Sequence, residues 1–134
     1  MEIESMLISQ GVDIVDILRI KDVMGRRKSF QNKVFTSYEM SFCFDRYNPF
    51  PHFAARFAAK EACLKALGIG LGGFGGVNRL KEIEIKSEET GQPVLCLSGS
   101  VEKLTIERSV TQISVSLSHT FELAIASVFL MSMN

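Results

Sequence analysis

Residues 51–70 read PHFAARFAAKEACLKALGIG, and this stretch decides the fold. Alanine supplies helix propensity throughout. Pro51 suits the first turn of a helix, where its missing N–H costs nothing, and Gly68 suits the position just past the end. A helix from Pro51 to about Leu67 is therefore predicted. At about 100° per residue, Phe53, Phe57 and Leu64 form one apolar stripe, Glu61 lies about 60° from its centre, and Lys65 lies one turn further on the same side. Arg56 and Lys60 point elsewhere on this wheel. The helix thus carries an acid on the border of its core-facing stripe.

Upstream, Met6–Val15 (MLISQGVDIV) reads as a strand with Asp13 near its end. Asp16 is a helix N-cap for a segment running to Arg26, with Ile17, Ile20, Val23 and Met24 at helical spacing. Its other face is basic, with Arg19, Lys21, Arg26, Arg27 and Lys28 interrupted only by Asp22. Thr36-Ser37-Tyr38-Glu39 is a capping box that opens a helix to about Arg46, and Asn48–Pro51 forms a turn. Downstream, Gly68–Gly76 contains six glycines. No Gly-Lys-Ser/Thr follows them, so they read as a connector and not as a nucleotide P-loop. KEIEIK (Lys81–Lys86) and Pro93–Leu97 read as strands around a Gly91-Gln92-Pro93 turn, and Val101–Arg108 as a short helix. Gln112–His119 alternates apolar and polar residues, Glu122–Met131 is almost continuously apolar, and Thr120-Phe121 joins them in a hairpin. Helices early and antiparallel strands late give α+β, with helices packed on a mostly antiparallel sheet and a single domain spanning residues 1–134.

Composition bounds the function. The 134 residues carry 15 basic and 15 acidic side chains, a formal net charge of zero. Charge-driven recognition must then come from local asymmetry such as the basic helix face. Zero net charge and the lack of an aromatic platform beside that face argue against nucleic-acid binding. No apolar run is long enough to span a bilayer, and Glu2 and Glu4 stand where a signal peptide carries basic residues, so a cytoplasmic protein is expected. Cys43, Cys63 and Cys96 are too few and too scattered for a disulfide framework or a zinc site, and are expected to be small buried or half-buried thiols. His52 reads as an exposed first-turn residue. No Ser-His-Asp or Cys-His arrangement supports nucleophilic catalysis. Two acids stand out instead. Asp13 interrupts an apolar strand, where a carboxylate is costly unless paired or metal-bound, and Glu61 borders an apolar stripe. Together they suit Mg²⁺, which takes one or two carboxylates plus phosphates and water. Alternatively, each is a cap or an ion-pair partner, Glu61 with Lys65 at i,i+4.

Four blocks occur in order: Gly11-Val-Asp-Ile-Val15 with Arg19, Phe53–Gly68 (FAARFAAKEACLKALG), Gly91-Gln-Pro93 and Ser116-Leu-Ser-His119. This pattern closely resembles the holo-[acyl-carrier-protein] synthase group of 4′-phosphopantetheinyl transferases, from about Gly11 to Phe129. The resemblance implies transfer of 4′-phosphopantetheine from coenzyme A to a serine of apo acyl carrier protein, releasing adenosine 3′,5′-bisphosphate, in support of fatty acid biosynthesis. It also implies Mg²⁺ and a homotrimer with active sites between subunits. Asp13 and Glu61 match the metal-binding acids, with Glu61 and Lys65 as catalytic groups. Lys65 and His119 match residues that reach the coenzyme A phosphates, and Arg56 and Lys60 fall in the same block. Arg19 and Arg26 match carrier-docking positions, with apolar contacts from Val23 and Phe30. Three positions depart from the pattern: Gln92 replaces a frequent Lys or Arg, only Arg46 supplies positive charge before the long helix, and Ser29 stands where a third arginine can occur. The rival reading is a non-catalytic module that holds coenzyme A or the carrier protein.

Overall fold

A computed structural model describes residues 5–69 and 76–133. In chain order it contains β1 (Met6–Asp16), α1 (Ile17–Arg26), α2 (Lys28–Val34), α3 (Ser37–Phe44), α4 (Phe50–Ala66), a 3₁₀ segment (Gly76–Glu82), β2 (Ile83–Ser87), β3 (Pro93–Leu97), α5 (Gly99–Glu107), β4 (Val110–His119) and β5 (Leu123–Met133). The class is α+β, as expected, but the strands form two antiparallel sheets: three strands in the order β1-β5-β4, and the pair β2-β3. The glycine connector falls largely in residues 70–75, outside the described residues.

The central position of β5 explains its continuous apolar sequence. Ala124, Ala126, Val128 and Leu130 are buried beneath α4, whereas Leu123, Ile125 and Phe129 lie on the opposite face and remain partly exposed. The β4–β5 hairpin closes through Thr120, whose N–H donates to the Leu123 carbonyl at 2.8 Å while its hydroxyl accepts from Leu123 N at 3.2 Å.

Helix α4 departs from the one-stripe reading, since 13 of its 17 residues are buried. The larger sheet covers one side, and other helices and β2 cover the rest. An alanine-rich helix can be enclosed this way because small side chains let neighbouring backbones approach. The closest approach is at Gly11 on β1. A Cβ placed there would stand 1.9 Å from the Ala62 carbonyl oxygen and 2.7 Å from Ala66 N.

Local signals set most element ends. The Asp16 carboxylate accepts from Leu18 N at 3.0 Å and Arg19 N at 3.3 Å, so it caps α1 as expected. Thr36 and Glu39 form the reciprocal capping box of α3, and Gly68 follows α4 with φ +75°. Helix α5 has no cap from Ser98; Glu82 serves instead, accepting from Ser100 Oγ at 2.7 Å and Val101 N at 3.0 Å. Helix α2 was not expected. Ser29, Gln31 and Asn32 include weak helix formers, and tertiary packing holds the segment through buried Val34 and a Phe30–Phe57 ring contact at 5.9 Å. Cys43 and Cys63 are buried and Cys96 is half-buried, all free. No described helix is long and apolar enough to cross a membrane.

The Gly11 crossing yields a direct test. Replacing Gly11 with Ala forces β1 and α4 apart, because both contacted atoms belong to backbone. The variant is expected to lose at least about 2 kcal/mol of stability in urea unfolding, whereas Gly25→Ala, with open space around it in the last turn of α1, is expected to be as stable as the parent or slightly more so.

Candidate active site

The Gly11 crossing also brings the acids together. On β1 the residues facing α4 are Ser9, Gly11, Asp13 and Val15, so Asp13 shares the face of Gly11 two residues on. On α4, Glu61 and Lys65 immediately precede the residues that Gly11 touches. Lys65 Nζ donates to Asp13 Oδ1 at 3.0 Å and to the Val12 carbonyl at 3.1 Å. Lys65 therefore pairs with Asp13, and the i,i+4 pair with Glu61 does not form. Glu61 is 8% exposed, and its Oε1 is buried with no hydrogen-bond partner. Burial, then the Asp13 carboxylate, push the Glu61 carboxyl above its ordinary value, and Lys65 offsets part of the rise. A buried acid with an orphaned oxygen beside a second carboxylate is a poor structural element and a suitable half-site for a hard cation.

Asp13 and Glu61 line a cavity of about 390 Å³ that Arg19, Val23, Phe30 and Phe57 also line. Three of the four expected docking residues thus share one depression with the acids. Arg26 lies on an adjoining depression with Arg19 and Val23, paired with Asp22 on the exposed face of α1. Among the described residues, no three or more His, Cys, Asp or Glu side chains converge. Two carboxylates are what Mg²⁺ needs when phosphates and water complete its shell.

The remaining expected residues lie elsewhere. Lys60, assigned above to the coenzyme A site, is corrected: its side chain is 0% exposed, and its ammonium donates to Glu39 Oε1 at 2.8 Å, the Leu80 carbonyl at 2.8 Å and the Ile83 carbonyl at 2.6 Å. All three donors are used inside the protein, so Lys60 joins α3, α4, the 3₁₀ segment and β2. Glu39 accepts in turn from Thr36 N at 3.0 Å and Ile85 N at 2.9 Å. The capping box was legible; the second task of its glutamate was not.

Arg56 is 3% exposed, with its guanidinium carbon 4.2 Å from the Phe42 ring centroid and its Nε buried without a partner. His119, at the end of β4, borders a separate groove of about 510 Å³ with Arg46, Tyr47, Pro51, His52 and Phe121. His52 is not the exposed residue expected. It is half-buried, and its ring centroid lies 5.8 Å from that of His119. Neither Arg56 nor His119 lines the Asp13–Glu61 cavity.

A cavity lined by two acids, one of them paired with Lys65, and flanked by a basic helix has the chemistry to suit a phosphate-bearing substrate and an acidic partner. Comparison with known proteins specifies which. A family model for the 4′-phosphopantetheinyl transferase superfamily matches residues 9–126. The holo-[acyl-carrier-protein] synthase of Syntrophus aciditrophicus is 43% identical over 121 residues, covering 90% of this chain and 92% of that protein. The synthase of the same name from Halothermothrix orenii is 40% identical over 119 residues, covering 88% and 92%. Among solved structures, the Chronobacterium ammoniagenes synthase in complex with coenzyme A superposes with a TM-score of 0.82 at 28% identity, covering 96% of this chain and 99% of that one. The chain belongs to the 4′-phosphopantetheinyl transferase superfamily, within its holo-[acyl-carrier-protein] synthase group.

Two expectations follow from the geometry. Lys60→Met leaves the Glu39 carboxylate buried and unpaired, and should cost about 3–5 kcal/mol in urea unfolding. Glu61→Gln should act in the opposite sense. A carboxyl held above its ordinary value of 4.5 makes ionisation costly in the fold. Its stability penalty therefore grows as pH rises from about that value through the raised one, and is complete above it. Metal-free Glu61→Gln should melt above the parent at neutral pH, and the difference should close as pH falls below the ordinary glutamate value.

Proposed function

We propose that the chain transfers 4′-phosphopantetheine from coenzyme A to a serine of apo acyl carrier protein, releasing adenosine 3′,5′-bisphosphate and so supporting fatty acid biosynthesis. The observation that carries this reading is the cavity lined by Asp13 and Glu61, with Lys65 paired to Asp13, in a chain belonging to this family. In the reaction the serine oxygen forms a bond to the phosphorus that bears pantetheine, and the bond from that phosphorus to the bridging diphosphate oxygen breaks. The nucleophile arrives with the partner, which accounts for the lack of an activated Ser or Cys in the sequence.

Asp13 and Glu61 would hold Mg²⁺, whose role when bound is to draw charge from the diphosphate. Lys65 supplies a further cation beside the same oxygens and already donates to Asp13. Glu61 is the candidate for taking the serine proton, directly or through a bound water, because it lines the cavity that the serine must enter. Arg19 and Arg26 offer charge to an acidic carrier, and Val23 and Phe30 offer apolar contact at the cavity that the serine must enter.

His119 and Arg56 would serve the nucleotide end of coenzyme A. Because the groove that His119 borders is separate from the Asp13–Glu61 cavity, we place the complete site between copies of the chain, in a homotrimer. The outer face of the larger sheet supports this reading. It exposes Val12 (48%), Ile14 (59%), Ile125 (39%) and Phe129 (42%), a contiguous apolar surface of the kind that marks an interface.

Incubation of apo acyl carrier protein with the enzyme, coenzyme A and Mg²⁺ should add about 340 Da to the carrier by intact mass. EDTA and Glu61→Ala should each abolish the gain, and Arg19→Glu should raise the KM for the carrier more than that for coenzyme A. Retention of coenzyme A and carrier with no mass gain, against a carrier that another family member modifies, would favour the non-catalytic binding module.

A further inference from the structure

His52 performs no step in the reaction above, yet its surroundings are specific. It sits in the first turn of α4 with its ring between two others. The Phe42 centroid is 6.3 Å away at an interplanar angle of 75°, and the His119 centroid is 5.8 Å away at 69°. Both contacts are edge-to-face, the arrangement that aromatic quadrupoles favour. His119 itself is exposed at a strand end, and its Nδ1 lies 3.2 Å from the carbonyl oxygen of the adjacent Thr120. A side chain in that position needs a second contact to keep one orientation, because an exposed rotamer-free ring must otherwise be ordered when a ligand binds.

We propose that His52 is a positioning residue for coenzyme A, one that fixes the His119 ring at the nucleotide-end groove by edge-to-face packing. The inference rests on the assignment of His119 to that end of the substrate. Phe42 anchors the arrangement. It contacts the His52 ring, and the guanidinium carbons of Arg46 and Arg56 lie 4.0 Å and 4.2 Å from its centroid. One aromatic ring thereby touches His52 and Arg46 of the groove's lining, and Arg56 behind it.

The charged groups facing His52 are Arg46 before α4, Arg56 on α4 and His119 on β4, and all are cations or potential cations. Among the described residues, the groove has no carboxylate in its lining. Burial first, then Arg56, His119 and Arg46, hold the His52 imidazole below its ordinary value. At neutral pH it packs as an uncharged ring and leaves the positive charge of the groove to its neighbours.

The test is a double-mutant cycle on the intact enzyme, read as separate KM and kcat values for coenzyme A. His52→Ala should raise KM about three- to tenfold with kcat within about twofold, as expected for lost substrate binding unlinked to chemistry. His52→Phe should restore KM to near the parent value, because a phenyl ring supplies the same edge and needs no nitrogen. In a His119→Ala background, His52→Ala should raise KM no further. A full additional effect in that background would mean that His52 acts without His119, and would overturn the proposal. So would an unchanged KM in His52→Ala while His119→Ala raises it. A parent-like KM in His119→Ala would instead refute the assignment of His119 on which the inference rests.

Discussion

The crossing of α4 over β1 at Gly11 is the constraint on which the site depends. Two backbones come so close that a single methyl group would collide with the Ala62 carbonyl. That approach fixes both the depth and the register of the helix against the strand. With Gly11 opposite Ala62 and Ala66, the strand's period of two puts Asp13 on the helix side, and the residues preceding the two alanines are Glu61 and Lys65. A longer residue at 11 would lift the helix and take both acidic partners apart. The glycine in Gly11-Val-Asp is therefore as much a part of the site as the aspartate.

Burial of most of α4 has a cost that the chain meets largely with polar satisfaction. Alanines suit burial, but the same helix carries Arg56, Lys60 and Glu61 into the interior. Lys60 is fully provided for, with one carboxylate and two carbonyls. Glu39 matches it with acceptors filled from the backbone on either side. Arg56 and Glu61 are the exceptions: among the described residues, neither Arg56 Nε nor Glu61 Oε1 has a hydrogen-bond partner. Unsatisfied buried groups are rare enough in folded proteins to need a reason. The proposed cation site supplies a reason at Glu61, because the atom that destabilises the free protein is the one that would be available to a cation. Lys60 and Glu61 are adjacent in sequence and similarly buried, yet hydrogen bonding separates a structural charge from a chemical one.

Such a distinction could not be read from the sequence. Periodicity located β1, α1, α3, α4, α5, β4 and β5 to within a few residues, since local patterns and caps determine those elements. It placed Asp13 and Glu61 as anomalous acids for a sound reason, the cost of a carboxylate among apolar neighbours. It failed where several elements meet. A helical wheel divides a helix into an inner and an outer face, whereas α4 is buried over most of its surface; Lys60, assigned to the substrate site because it falls in the family-like block, is enclosed there. His52 looked exposed because its neighbour His119 lies 67 positions away, and only the β4–β5 hairpin brings the two rings together. Helix α2 escaped notice because packing of Phe30 and Val34, not propensity, holds it.

In the proposed reaction, the Asp13–Glu61 cavity and the His119 groove would divide the labour that the substrate imposes. Coenzyme A presents a diphosphate at which a bond must break and a nucleotide that only needs to be held. The Asp13–Glu61–Lys65 group has the mixed charge needed to bind a cation and a diphosphate together, and it adjoins the surface where a carrier can dock. The His119 groove has positive charge, aromatic rings and no acid among its described lining, which suits holding an anion with a planar base. Neither alone is sufficient. The strand that ends in His119 pairs with β5, and β5 pairs with the strand that bears Asp13. The sheet thus sets the distance between the two depressions within one chain, and the apolar outer face of the same sheet is the surface through which copies could bring one chain's acids to another chain's groove.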